Sequence, residues 1–243
     1  MNDITGADIL NRLSNSRAEF KNVNVITKVD IPLPQNRSIT IDFTGSIFRH
    51  PFKLFAPGGN INLIFDGCIF HSNIRIENTA GLSNISFLRA TLNSGLELIS
   101  NGKTAFNFDN VSWKGKITLE KLDIVGSFKD IHLLESNEFN KFSLTRSKFS
   151  QNISFAKSEL QNVDFQNCEF QEDFIFLYAK LLNTKLGFDN FKNIHVQGKS
   201  FFNNALFENQ VSFSQSIFED SVFFNDSNSN KNCQADFSGV CFK

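Results

Sequence analysis

The chain has 243 residues, with 24 basic and 25 acidic side chains and a formal net charge of −1. This balance excludes the bulk attraction to nucleic acid or anionic lipid that a strongly basic chain has. No apolar run approaches the roughly 18 residues of a membrane span, and the start MNDITGADIL lacks the regions of a signal peptide. We therefore predict a cytoplasmic protein that neither enters a membrane nor binds nucleic acid directly.

Residues 1–20 are predicted to form a short helical cap. Thr5 and Asp8 have the spacing of a capping box, and Ile9, Leu10 and Leu13 follow on one helical face. The regular phrases described next begin after this segment. We therefore divide the chain into a cap over residues 1–20 and a repetitive domain over residues 21–243.

In the first half of the chain, apolar residues recur every 11 residues. Alternate members of this series open similar phrases, IDFTGSIF, LIFDGCIF and ISFLRATL, whose starts are 22 residues apart. A repeat of roughly 20–22 residues is typical of a solenoid, whose coils stack about 4.8 Å apart. Between about residues 114 and 140 the phrase is lost, which predicts irregular coils there. The series is Phe43, Leu54, Phe65, Ile76, Phe87 and Leu98.

From Ile153 onward an apolar residue returns about every five residues. A helix would place such positions about 140° apart, and a straight strand would alternate them between its faces. The chain must therefore turn a corner between successive anchors, each of which points into a shared core. The predicted anchors are Phe155, Leu160, Phe165, Phe170, Phe176, Leu181, Leu186, Phe191, Val196, Phe201, Phe213, Phe218 and Phe223.

A small side chain stands two residues before many of the anchors, and on a short strand both positions point inward. The chain has 30 Phe but only 1 Tyr, as a dry interior requires, because a buried hydroxyl group needs a hydrogen-bond partner. The small residues are Ser46, Cys68, Ala90, Ser158, Cys168, Ala179, Ala205, Ser216 and Ser221.

The tandem phrases FxxAxF and FxxSxF resemble those of pentapeptide-repeat proteins. The resemblance covers about residues 18–243 and is strongest from Ile153 to Phe224. It implies an all-β fold, a right-handed single-stranded parallel β-helix with four sides and a short N-terminal helical cap. The family shares a folding rule and not a chemistry, so the resemblance does not name an activity.

Candidate chemistry is sparse in this sequence. Cys68 and Cys168 occupy small inward positions, where cysteine acts as a small hydrophobe, and Cys233 and Cys241 lack CxxC spacing. Gly198 precedes Lys199 and Ser200, but the earlier glycine of a phosphate-binding loop is missing, so we read this tripeptide as a corner. We predict no catalytic residues, no metal and no cofactor.

The main functional hypothesis is therefore a non-enzymatic rod whose rigid surface binds another protein of unknown identity. A second hypothesis follows from relatives that imitate duplex DNA and bind type II topoisomerases, protecting them from quinolones or toxins. Such a mimic needs a row of carboxylates spaced like phosphates. The candidate acidic face is Glu208, Glu219, Asp220 and Asp226, although a solvated face that keeps a rod soluble explains these residues better.

Two further possibilities stay open. A glycan-active lyase or hydrolase on a β-helix would need a groove with three or more carboxylates from adjacent coils. The stretch FNDSNSNKNCQ breaks the rhythm, and ADFSGVCFK resumes it with no helix to cover the last coil. Exposed strand edges at this end predict either a homodimer through the C-terminal end, as in the DNA-mimicking relatives, or a longer chain.

Overall fold

Short strands joined by corners wind the chain into a right-handed parallel β-solenoid of about 10 turns, which confirms the predicted fold class. The computed structural model describes residues 1–14, 16–35, 37–78, 84–100, 103–121, 123–135, 139–182, 190–208, 210–229 and 234–243. The predicted anchor Leu186 lies outside these ranges. Each coil pairs in parallel with its neighbours; Phe48, for example, lies between Val25 and Phe70.

The strands stack into four sides. Side I contains Asn2–Ile4, Val23–Val25, Ile47–Phe48, Ile69–Phe70, Thr91–Leu92, Ser112–Trp113, His132–Leu133, Glu159–Gln161, Lys180–Leu182, Leu206–Phe207 and Asn228–Ser229. Side II contains Val29–Pro32, Phe52–Ala56, Ile74–Asn78, Leu96–Ser100, Lys116–Glu120, Lys141–Thr145, Asp164–Gln166, Phe191–Lys192, Gln210–Ser212 and Gln234–Asp236.

Side III is present in every coil, whereas side IV is present only in the later coils. Side III contains Arg17–Glu19, Arg37–Asp42, Gly59–Ile64, Asn84–Ser86, Lys103–Asn107, Asp123–Ser127, Lys148–Phe149, Glu169–Phe170, His195–Val196, Ile217–Phe218 and Cys241–Phe242. Side IV contains Ile153–Ser154, Phe174–Ile175, Ser200–Phe201 and Val222–Phe223.

The N-terminal helix spans Gly6–Arg12 and has the predicted capping box between Thr5 and Asp8. Ile9 and Leu13 are buried against the first coil, as expected for its apolar face. Leu10 is 43% exposed, so its predicted place on that face is wrong. The helix is short, and two packed residues are enough to hold it on the first coil.

The cross-section changes from three sides to four within the molecule. The single strand Asp123–Ser127 is followed one coil later by two strands, Lys148–Phe149 and Ile153–Ser154. Lys148 pairs with Asp123 at the start of that strand. Beyond its end, the amide of Phe128 donates to the carbonyl oxygen of Ser154. Long straight strands on side III therefore explain the 11-residue spacing of apolar residues in the first half of the chain. The five-residue spacing begins where the fourth corner is added.

One phenylalanine per coil forms a continuous file along the core. Consecutive ring centroids in this file are 4.8–5.9 Å apart. Burial of each ring stabilises the fold by roughly 1.5–3 kcal/mol, so the file is a main source of stability. Its members are Phe20, Phe43, Phe65, Phe87, Phe108, Phe128, Phe155, Phe176, Phe202 and Phe224.

The anchor assignment was wrong at two positions. Phe202 is fully buried, whereas Phe201 is partly exposed and stacks on Phe223 with ring centroids 5.1 Å apart. Successive residues of a strand point to opposite faces, so Phe201 and Phe223 point outward. The cause is the corner between sides III and IV, which holds one extra residue and places the core positions of Phe218 and Phe224 six apart.

Corners are set by residues with left-handed backbone. One such residue per coil stacks at the corner that leads into side I, and its amide donates to the next coil, as Asn204 does to the carbonyl oxygen of Asn225. Asparagine and glycine tolerate this conformation best, and they fill five of the ten corner positions. The residues are Asn22, Gly45, Gly67, Arg89, Asn110, Asp130, Lys157, Tyr178, Asn204 and Asp226.

Candidate functional site

The four predicted acidic residues lie at three different corners of the coil. Glu208 follows strand Leu206–Phe207 of side I, and Glu219 and Asp220 follow strand Ile217–Phe218 of side III. Asp226 occupies the left-handed corner after side IV, with a φ of 53°. The structure brings Glu219 and Asp220 together at one corner, but it does not align the four carboxylates in one row along the axis.

Glu219 is partly neutralised by its neighbours. Its Oε1 atom lies 2.9 Å from Nε2 of His195 and 3.4 Å from Nζ of Lys243. The hydrogen bond with His195, followed by that from Lys243, lowers the pKa of Glu219. The charge that this residue can offer to a partner is therefore shared with two basic groups.

Asp220 is held by its own corner. Its Oδ1 accepts a hydrogen bond of 2.6 Å from the amide of Ser221, and this bond is the main reason that the pKa of Asp220 is lowered. Lys199 lowers this pKa further through its charge. Asp220 is exposed, so it remains available at the edge of side IV.

A shallow groove of about 480 Å³ lies at the corner between sides II and III, and sequence reasoning missed it. Its charged lining alternates in sign along the axis: Nζ of Lys148 lies 3.4 Å from Oε1 of Glu169. Arg146 and His195 line the same groove. Arg146 contacts Glu120 and His195 contacts Glu219, both outside the groove, so its charged residues join adjacent coils as on a solvated flank.

A second groove, of about 530 Å³, runs across side II. Arg75 lies 2.7 Å from Glu97 and 3.2 Å from Glu77, so its guanidinium bridges two coils. The lining contains two carboxylates, Glu97 and Glu120, together with Lys116. This number is below the three that the glycan-active hypothesis requires. Gly95 lies in the lining, where a Cβ atom would come within 3.1 Å of the carbonyl oxygen of Lys116 in the next coil.

The interior thiols serve packing and hydrogen bonding. Cys68 and Cys168 are buried, and their Sγ atoms donate to the carbonyl oxygens of Phe43 and Leu144 at 2.9 Å and 3.3 Å. Burial raises the pKa of both thiols to about 12. Cys241 is exposed, and Cys233 lies outside the described residues.

The described part of the chain has neither a cluster of metal ligands nor a membrane-spanning helix. It contains no group of three or more His, Cys, Asp or Glu residues arranged to hold a metal ion. Within the same residues, no helix has the length and apolar character needed to cross a bilayer.

Comparison with protein-family models, with curated proteins and with solved structures found no match to this chain. The resemblance to pentapeptide repeats thus depends on the repeated phrase and on the solenoid that the phrase forms. Both concern the core, whereas binding depends on outward residues. Function has to be argued from the outer surface itself.

Proposed function

We propose that this chain is a pentapeptide-repeat-like protein without enzymatic activity, which binds another protein on the surface of a rigid rod. The observation that carries the proposal is the file of rings from Phe20 to Phe224. It fills the axis with apolar side chains and leaves the outer sides as the place for recognition. We propose that the protein acts in the cytoplasm and needs no cofactor.

The rod is well suited to present such a surface. Backbone hydrogen bonds join every coil to its neighbours, for example from Phe65 to Ser86 and from Phe87 to Asn107, each 2.8 Å long. Solenoid repeats contact only adjacent repeats, so outward residues can vary with little effect on the core. A surface that is already ordered loses little conformational entropy on binding.

The test is affinity capture from the native cell extract, with the purified full chain as bait. We expect one protein to bind in stoichiometric amount and to form a complex with the purified bait. As a control, a second sample of bait is unfolded in urea and refolded without extract. It shows whether proteins bind to damaged bait. Turnover of a small-molecule substrate by the chain, without any stoichiometric partner, would contradict the proposal.

The DNA-mimicking alternative requires a continuous acidic flank, and the positions of Glu208, Glu219 and Asp226 at separate corners favour it less. A gyrase supercoiling assay separates the two. Inhibition or quinolone protection at micromolar protein would support the mimic, and Asp220→Asn should then weaken it. No effect at that concentration leaves protein binding of another kind as the function.

Pairing through the C-terminal end forms part of the proposal. Phe237 and Phe242 of the last described coil are 41% and 58% exposed, and Val240 is partly exposed beside them. Apolar rings and strand edges at one end favour end-to-end association. Sedimentation equilibrium should detect a dimer that Phe242→Glu converts to a monomer; a wild-type monomer at 100-fold dilution and at high concentration alike would exclude it.

A further inference from the structure

Side IV carries an apolar stripe on its outer face. The outward positions of its four strands stack in register as Ser154, Ile175, Phe201 and Phe223. The last three are apolar and only partly buried, and the rings of Phe201 and Phe223 lie parallel within 10°. Three apolar side chains therefore follow one another along the axis, one per coil.

The other sides of the same coils are different. On side III the outward positions are Lys148, Glu169, His195 and Ile217, and on side I they are Glu159, Lys180, Leu206 and Asn228. Each of these files has one apolar residue among polar ones, as a solvated face does. A contiguous row of apolar side chains that are only partly buried is typical of an interaction site.

Tyr178 stands at the corner that follows strand Phe174–Ile175. It is the only tyrosine of the chain, it is 59% exposed, and its φ is 57°. Every coil has a left-handed residue at this corner, so the conformation belongs to the fold, and it is the aromatic side chain that distinguishes Tyr178. Neighbouring coils use Lys157 and Asn204 at this position. An exposed tyrosine ring beside an apolar stripe is typical of a binding hot spot.

The opposite edge of the stripe is acidic. Glu172, Asp173 and Asp220 lie at the corner between sides III and IV, with Lys199 as the basic residue among them. The corner is fixed by hydrogen bonds: Oδ1 of Asp173 accepts from the amide of Lys199 at 2.9 Å, and the amide of Asp173 donates to Asn152. The stripe therefore has ordered negative charge along one side.

We propose that this stripe, formed by Ile175, Phe201 and Phe223, docks a basic amphipathic helix of the partner protein. Its apolar residues repeat about every 4.8 Å along the axis, close to the 5.4 Å pitch of an α-helix, so a helix parallel to the rod places one apolar residue per coil. Lysine or arginine beside that apolar row would face the acidic corner. The inference rests on the proposed function, because it names where and how the partner binds.

The experiment measures binding of three fluorescent 18-residue peptides to the full chain by anisotropy. One is an amphipathic helix of leucine and lysine, the second has glutamate for every lysine, and the third is a scrambled leucine–lysine sequence. We expect the leucine–lysine helix to bind and the other two to bind at least about 10-fold more weakly. Equal binding of the glutamate peptide would overturn the proposal.

Variants locate the binding site. Phe201→Ser with Phe223→Ser should weaken the leucine–lysine helix about 10-fold, and Asp173→Asn with Asp220→Asn should weaken it mainly at low salt. The matched control is Ile217→Ser with Leu206→Ser, which alters outward apolar residues of the same coils on other sides. If this control weakens binding as much as the stripe variants do, the stripe is not the site.

Two readouts distinguish this inference from the proposed function. Capture of the native partner by the stripe variant at wild-type level would overturn the docking site and leave the protein-binding role intact. Absence of any native partner, with selective peptide binding retained, would contradict the role and not the surface. Sedimentation of the wild type and the stripe variant tests whether a second copy of the chain occupies the stripe. If the wild type is a dimer and only the stripe variant is a monomer, the stripe is a dimer interface and not the docking site of a partner helix.

Discussion

The hydroxyl of Ser158 donates a hydrogen bond of 2.9 Å to the carbonyl oxygen of Phe128, one coil earlier. Ser46, Ser216 and Ser227 make the same contact with the preceding coil, and Cys68 makes it with its thiol. The small inward residues thus do more than leave room for the rings. They satisfy a carbonyl group that the corner turns toward the interior.

Replacing Ser158 by alanine should therefore cost about 1–3 kcal/mol of unfolding free energy, because the bond to Phe128 is lost and the amide of Ile131, which donates to the same hydroxyl at 3.2 Å, loses this partner. The smaller side chain fits, since Ala90 and Ala179 occupy the equivalent place in other coils. Ser158→Cys should retain most of the stability. Urea unfolding followed by circular dichroism measures both, and a loss above about 3 kcal/mol for alanine would show a different role.

The outward register of side IV is tested by neighbouring phenylalanines. Phe202→Ala should cost about 3–5 kcal/mol because it opens a cavity in the core file, whereas Phe201→Ala should cost under about 1.5 kcal/mol. Thermal and urea unfolding of the two variants gives the comparison. Equal losses of stability would contradict the outward orientation of Phe201.

Gly198 is required by close packing at a corner. A Cβ atom there would lie 2.5 Å from the carbonyl carbon of Glu172 and 2.8 Å from the amide nitrogen of Asp173. Gly198→Ala should therefore destabilise the fold by about 1–3 kcal/mol. Gly67→Asn is the matched control, because Gly67 has open space and a φ of +64° that asparagine tolerates. We expect a change within about 0.5 kcal/mol for the control.

The buried side chain of Asn140 should stabilise the packing of its coil against the coils before and after it. Its Oδ1 accepts from the amide of Gly115 at 2.7 Å, and its Nδ2 donates to Gln161 at 2.8 Å. Asn140→Ala removes these two bonds and a third, of 2.5 Å, from Nδ2 to the carbonyl oxygen of Glu135, so it should cost at least about 1–3 kcal/mol. Exposed Asn225→Ala serves as control. Amide hydrogen exchange around Gly115 should be faster in the Asn140 variant than in the wild type. The control variant should show no faster exchange at this place.

The interior thiols give a pH prediction. Because burial raises the pKa of Cys68 and Cys168 to about 12 in the folded state, the unfolded chain loses these protons first as pH rises. Their contribution is complete below pH 9 and declines from there toward pH 12, by about 1.4 kcal/mol per thiol at pH 10. Double replacement by alanine should flatten this decline. Unfolding curves at pH 7, 9 and 10 measure it.

Sequence pattern predicted the core well and the surface poorly. The phrase from Ile153 onward required corners, and Phe155, Phe165 and Phe176 are buried as a result. Phe201 was misplaced because a five-residue count ignores the longer corner, although the six-residue step from Phe170 to Phe176 already contained that signal. Glu208 and Asp226 seemed close in sequence, but successive corners point in different directions, so sequence proximity does not place two charges on one side.

Tyr178 illustrates what composition cannot locate. A single tyrosine among many phenylalanines predicts a dry core, yet it does not reveal that this ring stands at an exposed left-handed corner. Backbone conformation at a corner depends on the pairing of the coils above and below. Only the stacked register relates Tyr178 to the apolar positions of side IV.

Each coil stacks in register on the next, so that Phe48, for example, pairs with Phe70 one coil later. Duplication of one whole 22-residue coil between Phe43 and Phe65 would shift everything beyond it by about 4.8 Å along the axis, with no change in which residues share a side. The length of the rod can therefore change in fixed steps of one coil, while the residues on each side keep the same outward or inward orientation.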